Sequence, residues 1–299
     1  MAGPEFRTYD VFTDRRFGGN PLAVVFPSGP LGTPCMQAVA REFNYSETVF
    51  VLPAEQGGTA RLRIFTPQRE IPFAGHPTIG TAICLAERAL EAGAPLPGDL
   101  VLEEGAGPIP CRVEERDGRL FATLVNELPL ELGREVDAAL LARCLGLEEA
   151  EVATGNHLPL FASKGLRFVL AEIDGTAALE AISLDLSAFS AAALRYPECE
   201  GDFAVVAYCN RGQGRVEMRM FSPLDSIPED PATGSAAAAL AAHVCLRTGA
   251  PQDLEILQGL SMGRPSRILA TAESPGPGQS LVTVGGTAVR VMQGHLAEI

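Results

Sequence analysis

Short apolar runs, bounded by Gly, Pro and Asp, recur along the whole chain. They predict strands at 8–12, 22–26, 48–52, 61–65, 101–102, 109–113, 120–125, 167–172, 203–208, 216–221, 256–257, 266–271, 281–284 and 287–292. Two longer stretches rich in small residues break this pattern and predict helices that start at 74–78 and 230–236. Pro77 suits a first helical turn, where its missing N–H costs nothing. Gly93 and Gly249 stand where a helix would end in a left-handed cap.

The two helices belong to an internal repeat. Residues 63–95 and 219–251 align without a gap at an offset of 156 and share eleven identities, among them Arg63/Arg219, Phe65/Phe221, Pro67/Pro223, Ile71/Ile227, Pro72/Pro228 and a closing Gly-Ala-Pro. The chain is therefore a duplication: strand, Pro-containing turn, Ala-rich helix, Gly-Ala-Pro, twice. Many short strands around each helix suggest two half-barrels, each curled around a helix that must be slim to fit. An ordinary α+β sandwich, with alanine chosen for helix propensity, is the alternative that composition leaves open. The expected division is a first lobe over 1–125, joined by a returning C-terminal strand within 285–299, and a second lobe over 126–284. The opening six residues show no pattern.

Composition narrows the function. With 299 residues, 46% hydrophobic and 20% charged, the chain is globular, and two domains are the natural prior. A formal charge of −14 argues against a nucleic-acid partner. The seven cysteines show no CxxC spacing and the four histidines no HxxxH spacing, so no metal site is expected. No apolar run reaches the length of a membrane span. A soluble, cytoplasmic protein with reduced, mostly buried thiols is the expectation. Lys164, the single lysine among 23 basic residues, suggests no role.

Duplication brings equivalent elements of both halves to a shared cleft, and here those elements are two helix starts. Their first N–H groups and dipoles make an anion site, so a small carboxylate-bearing ligand is expected. Gly75, Gly234 and Ser235 allow close backbone approach or donate hydrogen bonds. Glu47 lies at the mouth of an apolar strand between Ser46 and Thr48. A carboxyl group partly desolvated there would have a raised pKa and could take and return a proton. His76 stands at a helix start, where an imidazole can polarise a ligand oxygen or relay a proton. Asp230 precedes the second helix and reads equally well as its cap. His157, His243 and His295 read as structural.

These residues carry a family resemblance. The chain resembles the PhzF family of phenazine-biosynthesis isomerase-like proteins in Tyr-Asp-Val-Phe-Thr-Asp (9–14), Gly-Gly-Asn-Pro-Leu-Ala-Val-Val (18–25), Asn-Tyr-Ser-Glu-Thr-Val-Phe (44–50), Phe-Thr-Pro through Phe-Ala-Gly-His-Pro-Thr (65–78), Glu-Asp-Pro-Ala-Thr-Gly-Ser-Ala (229–236), Gln-Gly-Leu-Ser-Met-Gly-Arg-Pro-Ser (258–266) and Val-Gly-Gly-Thr-Ala-Val (284–289). The resemblance implies an α+β, diaminopimelate epimerase-like fold of two pseudo-symmetric lobes, each a barrel-like, mostly antiparallel sheet around a central helix. It implies a cofactor-free and metal-free isomerase, usually a homodimer, that moves a proton within a dihydro-hydroxyanthranilate-like ring. By the same resemblance Glu47 is the acid–base group, His76 and Asp230 share in catalysis, and Ser46, Gly75, Gly234 and Ser235 hold the substrate.

Two alternatives stand beside this expectation. One is a small-molecule binding protein of the same fold without turnover. The other is an amino-acid epimerase or racemase, which needs a thiolate at each helix start. Neither Phe-Ala-Gly-His nor Asp-Pro-Ala-Thr-Gly contains a cysteine, which disfavours it.

Overall fold

Two compact units share the chain: residues 1–125 with 284–299 form the first, and 126–283 the second. The computed structural model describes residues 3–276 and 278–298.

In the first unit the elements are β1 (Glu5–Val11), β2 (Asn20–Phe26), α1 (Thr33–Phe43), β3 (Glu47–Leu52), β4 (Ala60–Phe65), β5 (Glu70–Ile71), α2 (Gly75–Glu91), β6 (Asp99–Glu104), β7 (Gly107–Arg116) and β8 (Arg119–Asn126). In the second they are β9 (Glu131–Glu135), α3 (Ala138–Leu145), β10 (Leu160–Ser163), β11 (Arg167–Glu172), α4 (Gly175–Ala181), α5 (Leu186–Arg195), β12 (Val205–Gly212), β13 (Arg215–Ser222), β14 (Ile227–Asp230), α6 (Gly234–Thr248), β15 (Gln252–Gln258) and β16 (Ser266–Glu273). The final strand, β17 (Leu281–His295), begins in the second unit and ends in the first.

β17 pairs with both β1 and β8, and so closes an eight-stranded barrel from β1, β2, β3, β4, β6, β7, β8 and β17. The pairs β2–β3 and β4–β6 are parallel and the other registered pairs antiparallel. The second unit repeats the succession: β10–β11 antiparallel, β11–β12 parallel, β12–β13 antiparallel, β13–β15 parallel, β15–β16 antiparallel. Each sheet surrounds one helix. α2 packs against β1, β2, β3, β6 and β7, and α6 against β10, β11, β15 and β16.

Enclosure explains the composition of these helices. Every residue from Gly75 to Cys84 and from Gly234 to His243 is buried, so no polar face is required and small side chains are. A Cβ on Gly80 would come within 2.5 Å of Leu22 and 2.7 Å of Val11, which measures how close α2 lies to β1 and β2. Gly93 and Gly249 both take positive φ after their helices.

The arginines of the repeat do the same work in both copies. Arg63 on β4 grips Glu70 on β5 through two hydrogen bonds of 2.7 and 2.6 Å. Arg219 on β13 grips Glu229 on β14 through two of 2.8 Å. Each guanidinium also lies over the aromatic ring two residues on, Phe65 or Phe221. Both clamps fix the turn that leads into the enclosed helix.

Several sequence readings are corrected. The opening segment is not patternless, since Glu5 and Phe6 begin β1. The strands predicted at 281–284 and 287–292 are one continuous strand, because Gly285 and Gly286 lie extended inside β17, where a side chain at 285 would strike Phe121. The outer helices α1, α3, α4 and α5 were not anticipated. α1 covers Val25, Phe50 and Phe65 with Met36, Val39 and Ala40, and α3 and α5 cover the second sheet with Leu141, Leu145 and Phe189. Lys164 is buried, and its Nζ donates to the carbonyls of Leu128 and Ser280, while Asn126 Nδ2 donates to the Lys164 carbonyl at 2.9 Å. The lone lysine thus fastens together the stretches by which the chain enters and leaves the second unit.

Candidate active site

In the first unit, parallel pairing sets Leu22 of β2 opposite Glu47, the first residue of β3. Asn20 and Ser46 consequently share one sheet edge, where Ser46 Oγ donates to Asn20 Oδ1 at 2.7 Å. Glu47 Oε2 lies 3.4 Å from Nδ1 of His76, the second residue of α2. The sheet edge and the helix start therefore bring Ser46, Glu47, Gly75 and His76 together.

Burial governs the state of His76. The ring is 4% exposed, and loss of hydration pulls its pKa down to about 3, a hydrogen bond to the Pro21 carbonyl offsetting only part of the drop. Its approach to Glu47 is thus a contact between a carboxyl group and a neutral imidazole, with no ion pair. The Nε2 atom has no hydrogen-bond partner among the described residues.

The start of α2 is bare. Its N-cap residue is Ala74, which has no side chain to cap with, so first-turn N–H groups stay uncapped by any side chain. The same holds in the second unit for a different reason. There the N-cap of α6 is Thr233, and it makes no side-chain cap bond. Its hydroxyl donates instead to Asp230 Oδ2.

The cap reading of Asp230 is therefore corrected: the helix begins at Gly234, too far along the chain for Asp230 to serve as N-cap, and the carboxylate takes the hydroxyl of the true N-cap. Gln258, wholly buried at the end of β15, holds this loop. It donates to the Asp230 carbonyl at 2.7 Å and accepts from the Thr233 N–H at 2.9 Å. Gly259 beside it has φ +72°, and a Cβ there would lie 2.4 Å from the Arg264 carbonyl oxygen and 2.7 Å from that of Pro231. Asp230, Gly234 and Ser235 are thereby brought together within the second unit, all three buried.

Asn20, Thr233 and Gln258 were missed by sequence reasoning. All three sit inside the quoted motifs, yet nothing local shows that Gln258 reaches back 25 and 28 residues.

Cysteines take no part at either helix start. Cys84 and Cys245 lie in the body of α2 and α6, and burial pushes the Cys84 thiol up to about 12. Among the described residues no group of three or more His, Cys, Asp or Glu could hold a metal ion, and no single helix is long and apolar enough to cross a membrane.

Comparison with known proteins now bears on this arrangement. The profile of a family described as phenazine biosynthesis-like protein matches residues 9–294. The chain belongs to that family. It is 45% identical to a Mesorhizobium japonicum protein named an uncharacterised isomerase, over 99% of both chains. It is 40% identical to the trans-2,3-dihydro-3-hydroxyanthranilate isomerase of Pseudomonas aeruginosa, over 96% of both. These relatives place it among the isomerases. The crystal structure of a Bacillus anthracis phenazine biosynthesis protein of the PhzF family superposes with a TM-score of 0.87 at 23% identity, covering 99% of each chain. A hydroxyproline epimerase from Agrobacterium vitis superposes at 0.65 with 13% identity, covering 99% of this chain and 94% of its own. At such identities these two show the fold, which is the epimerase-like one expected.

Proposed function

We propose that this isomerase shifts a proton within a small, carboxylate-bearing ring of the dihydro-hydroxyanthranilate type, with Glu47 as the group that removes and returns it. The observation that carries the reading is the placement of Glu47 against a buried, neutral His76 at the uncapped start of α2. The name of the Pseudomonas aeruginosa relative supports the substrate class.

In the proposed step the Glu47 carboxylate takes a proton from a ring carbon next to a double bond. The electron pair left behind moves through the conjugated system, and the same carboxyl group delivers the proton to another carbon. No atom or electron is gained or lost, so the step calls for no redox partner or cofactor. N–H groups of Gly75 and His76 suit a substrate carboxylate, since a helix start favours negative charge. Neutral His76, whose one N–H goes to the Pro21 carbonyl, presents Nε2 as an acceptor for a substrate N–H or O–H. On this reading Ser46, Asp230, Gly234 and Ser235 bind and orient the substrate's polar groups, Asp230 also serving in proton transfer. A cytoplasmic homodimer belongs to the same proposal, supported by the resemblance and by seven unpaired cysteines, six of them buried.

The decisive experiment is incubation with trans-2,3-dihydro-3-hydroxyanthranilate in deuterated buffer, following absorbance and mass. Isomerised product carrying solvent deuterium is expected from the wild type. Glu47→Gln is expected to lose 10² to 10⁴-fold in kcat, about the share general acid–base catalysis supplies. Full activity in that variant would remove Glu47 from the mechanism, and ligand binding without turnover in the wild type would leave a binding protein.

A further inference from the structure

We propose that Glu104 is a positioning residue that carries a proton at neutral pH and, through Thr78, holds the first turn of α2 in place. Its bearing on catalysis rests on the function proposed above, because that turn presents Gly75 and His76.

Thr78 Oγ1 lies 2.7 Å from the Ala74 carbonyl oxygen and 2.7 Å from Glu104 Oε1. A carbonyl only accepts, an ionised carboxylate only accepts, and one hydroxyl has one proton to give. Two contacts this short require a second proton, and Glu104 is the only member of the chain able to supply it. The order is then Glu104 Oε1–H to Thr78 Oγ1, and Thr78 Oγ1–H to Ala74 O. The Ala74 carbonyl also accepts the Thr78 N–H at 3.2 Å, so both bonds tighten the turn that opens the helix.

The surroundings agree. Glu104 is 8% exposed and its Oε2 has no hydrogen-bond partner among the described residues, a tolerable state for the carbonyl oxygen of a neutral acid and a costly one for a buried carboxylate. Burial raises its pKa to about 8, with the Thr78 contact opposing the rise. From β7 the titratable side chain near it is Cys111, whose buried thiol is pushed up and stays protonated. From α2 it meets the Thr78 hydroxyl, and on β4 the residues opposite the end of β6 are Ala60 and Arg61, paired with Leu102 and Glu103. The adjacent Glu103 points to the other face of the strand and is in the opposite state. It accepts the N–H groups of Glu55, Gln56 and Gly58 at 2.7 to 2.8 Å, a nest that suits an ionised carboxylate.

When Glu104 loses its proton, the chain has one hydrogen too few. Lone pairs then face each other at the Thr78 hydroxyl, and a buried negative charge lies beside the helix start that is meant to attract an anion. Substrate affinity should weaken.

Glu104→Gln tests this, since its amide N–H donates to Thr78 at every pH. A folded-state proton that the unfolded chain releases near pH 4.5 stabilises fully below that value and is lost as pH rises through about 8. The wild-type Tm is therefore expected to fall relative to Glu104→Gln between pH 5 and pH 9. Wild-type kcat/KM should decline above pH 8 by about tenfold per pH unit through a rise in KM, and the variant should lack that decline. Carbon-13 NMR of the wild-type protein is expected to show the Glu104 carboxyl still protonated at pH 7. A carboxylate signal at pH 7, or parallel Tm curves for the two proteins, would overturn the proposal. Absence of turnover in both proteins would count against the proposed function, while the Tm and NMR readings would still decide on Glu104.

Discussion

Glu47 Oε2 and His76 Nδ1 stand 3.4 Å apart, with the imidazole so fully buried that it stays uncharged where histidine usually titrates. On the function proposed above, a neutral ring beside this carboxyl group leaves the proton inventory simple: Glu47 would exchange protons while His76 does not charge. The stability of the first unit should record this.

The folded state holds the His76 proton more weakly than the unfolded chain, about 3 against 6.5. Between those values the unfolded state binds more protons, so stability is fully present above pH 6.5 and is lost as pH falls toward 3. The contribution across that window is on the order of 3 to 5 kcal/mol. Thermal unfolding from pH 7 to pH 4 should show a steeper fall in Tm for the wild type than for His76→Gln. Parallel curves would mean that the ring is hydrated and charged.

Alkylation should leave the enzyme active. Six of the seven cysteines are buried, Cys35 being half-buried, and Cys84 is pushed up to about 12 by burial. Iodoacetamide at pH 8 is expected to modify Cys35 alone under native conditions, with no loss of turnover. Inactivation that tracks a modified cysteine on α2 or α6 would revive a thiol mechanism.

Legibility in the sequence followed the range of the interaction. Both enclosed helices could be read from the chain because a helix inside a barrel must be small-sided, and because Gly93 and Gly249 punctuate their ends. Glu47 and His76 could be named, but not the burial that neutralises the ring. Glu103 and Glu104 look alike in sequence and are both buried, and only their partners, three backbone N–H groups for one and the Thr78 hydroxyl for the other, separate a charged glutamate from a protonated one. Asp230 was given a capping role because the second helix starts three residues later, relative to the repeat, than the first. The exposed strand Glu131–Glu135 has no apolar alternation to mark it.

The closeness of α2 to its sheet can be tested at Gly80. Alanine there gains about 1 kcal/mol of helix propensity. Its Cβ, however, would lie 2.5 Å from Leu22 and 2.7 Å from Val11, both fully buried, and overpacking of this kind costs about 1 to 3 kcal/mol. A net loss of about 1 kcal/mol in urea unfolding is expected for Gly80→Ala. A more stable variant would show that the barrel wall yields.

The two arginine clamps should differ in strength. Arg219 and Glu229 side chains are 11% and 16% exposed, and the guanidinium also donates to the Leu179 carbonyl at 2.9 Å. Arg63 and Glu70 are 17% and 38% exposed. Arg219→Met is expected to cost about 3 to 5 kcal/mol, as for a broken buried pair. Arg63→Met should cost about 1 kcal/mol or less. Equal losses in denaturant titration would show that exposure does not set the difference.

The strand that closes the first barrel comes after the whole second unit in the chain. Until β17 emerges, β1 and β8 present open edges, and the whole second unit, residues 126–283, has to be synthesised between them and their partner. A ribosome therefore delivers a complete second unit before the first can shut. The first unit waits through that interval as a curled sheet with two unsatisfied rims, the form in which a chain is most exposed to pairing with its neighbours.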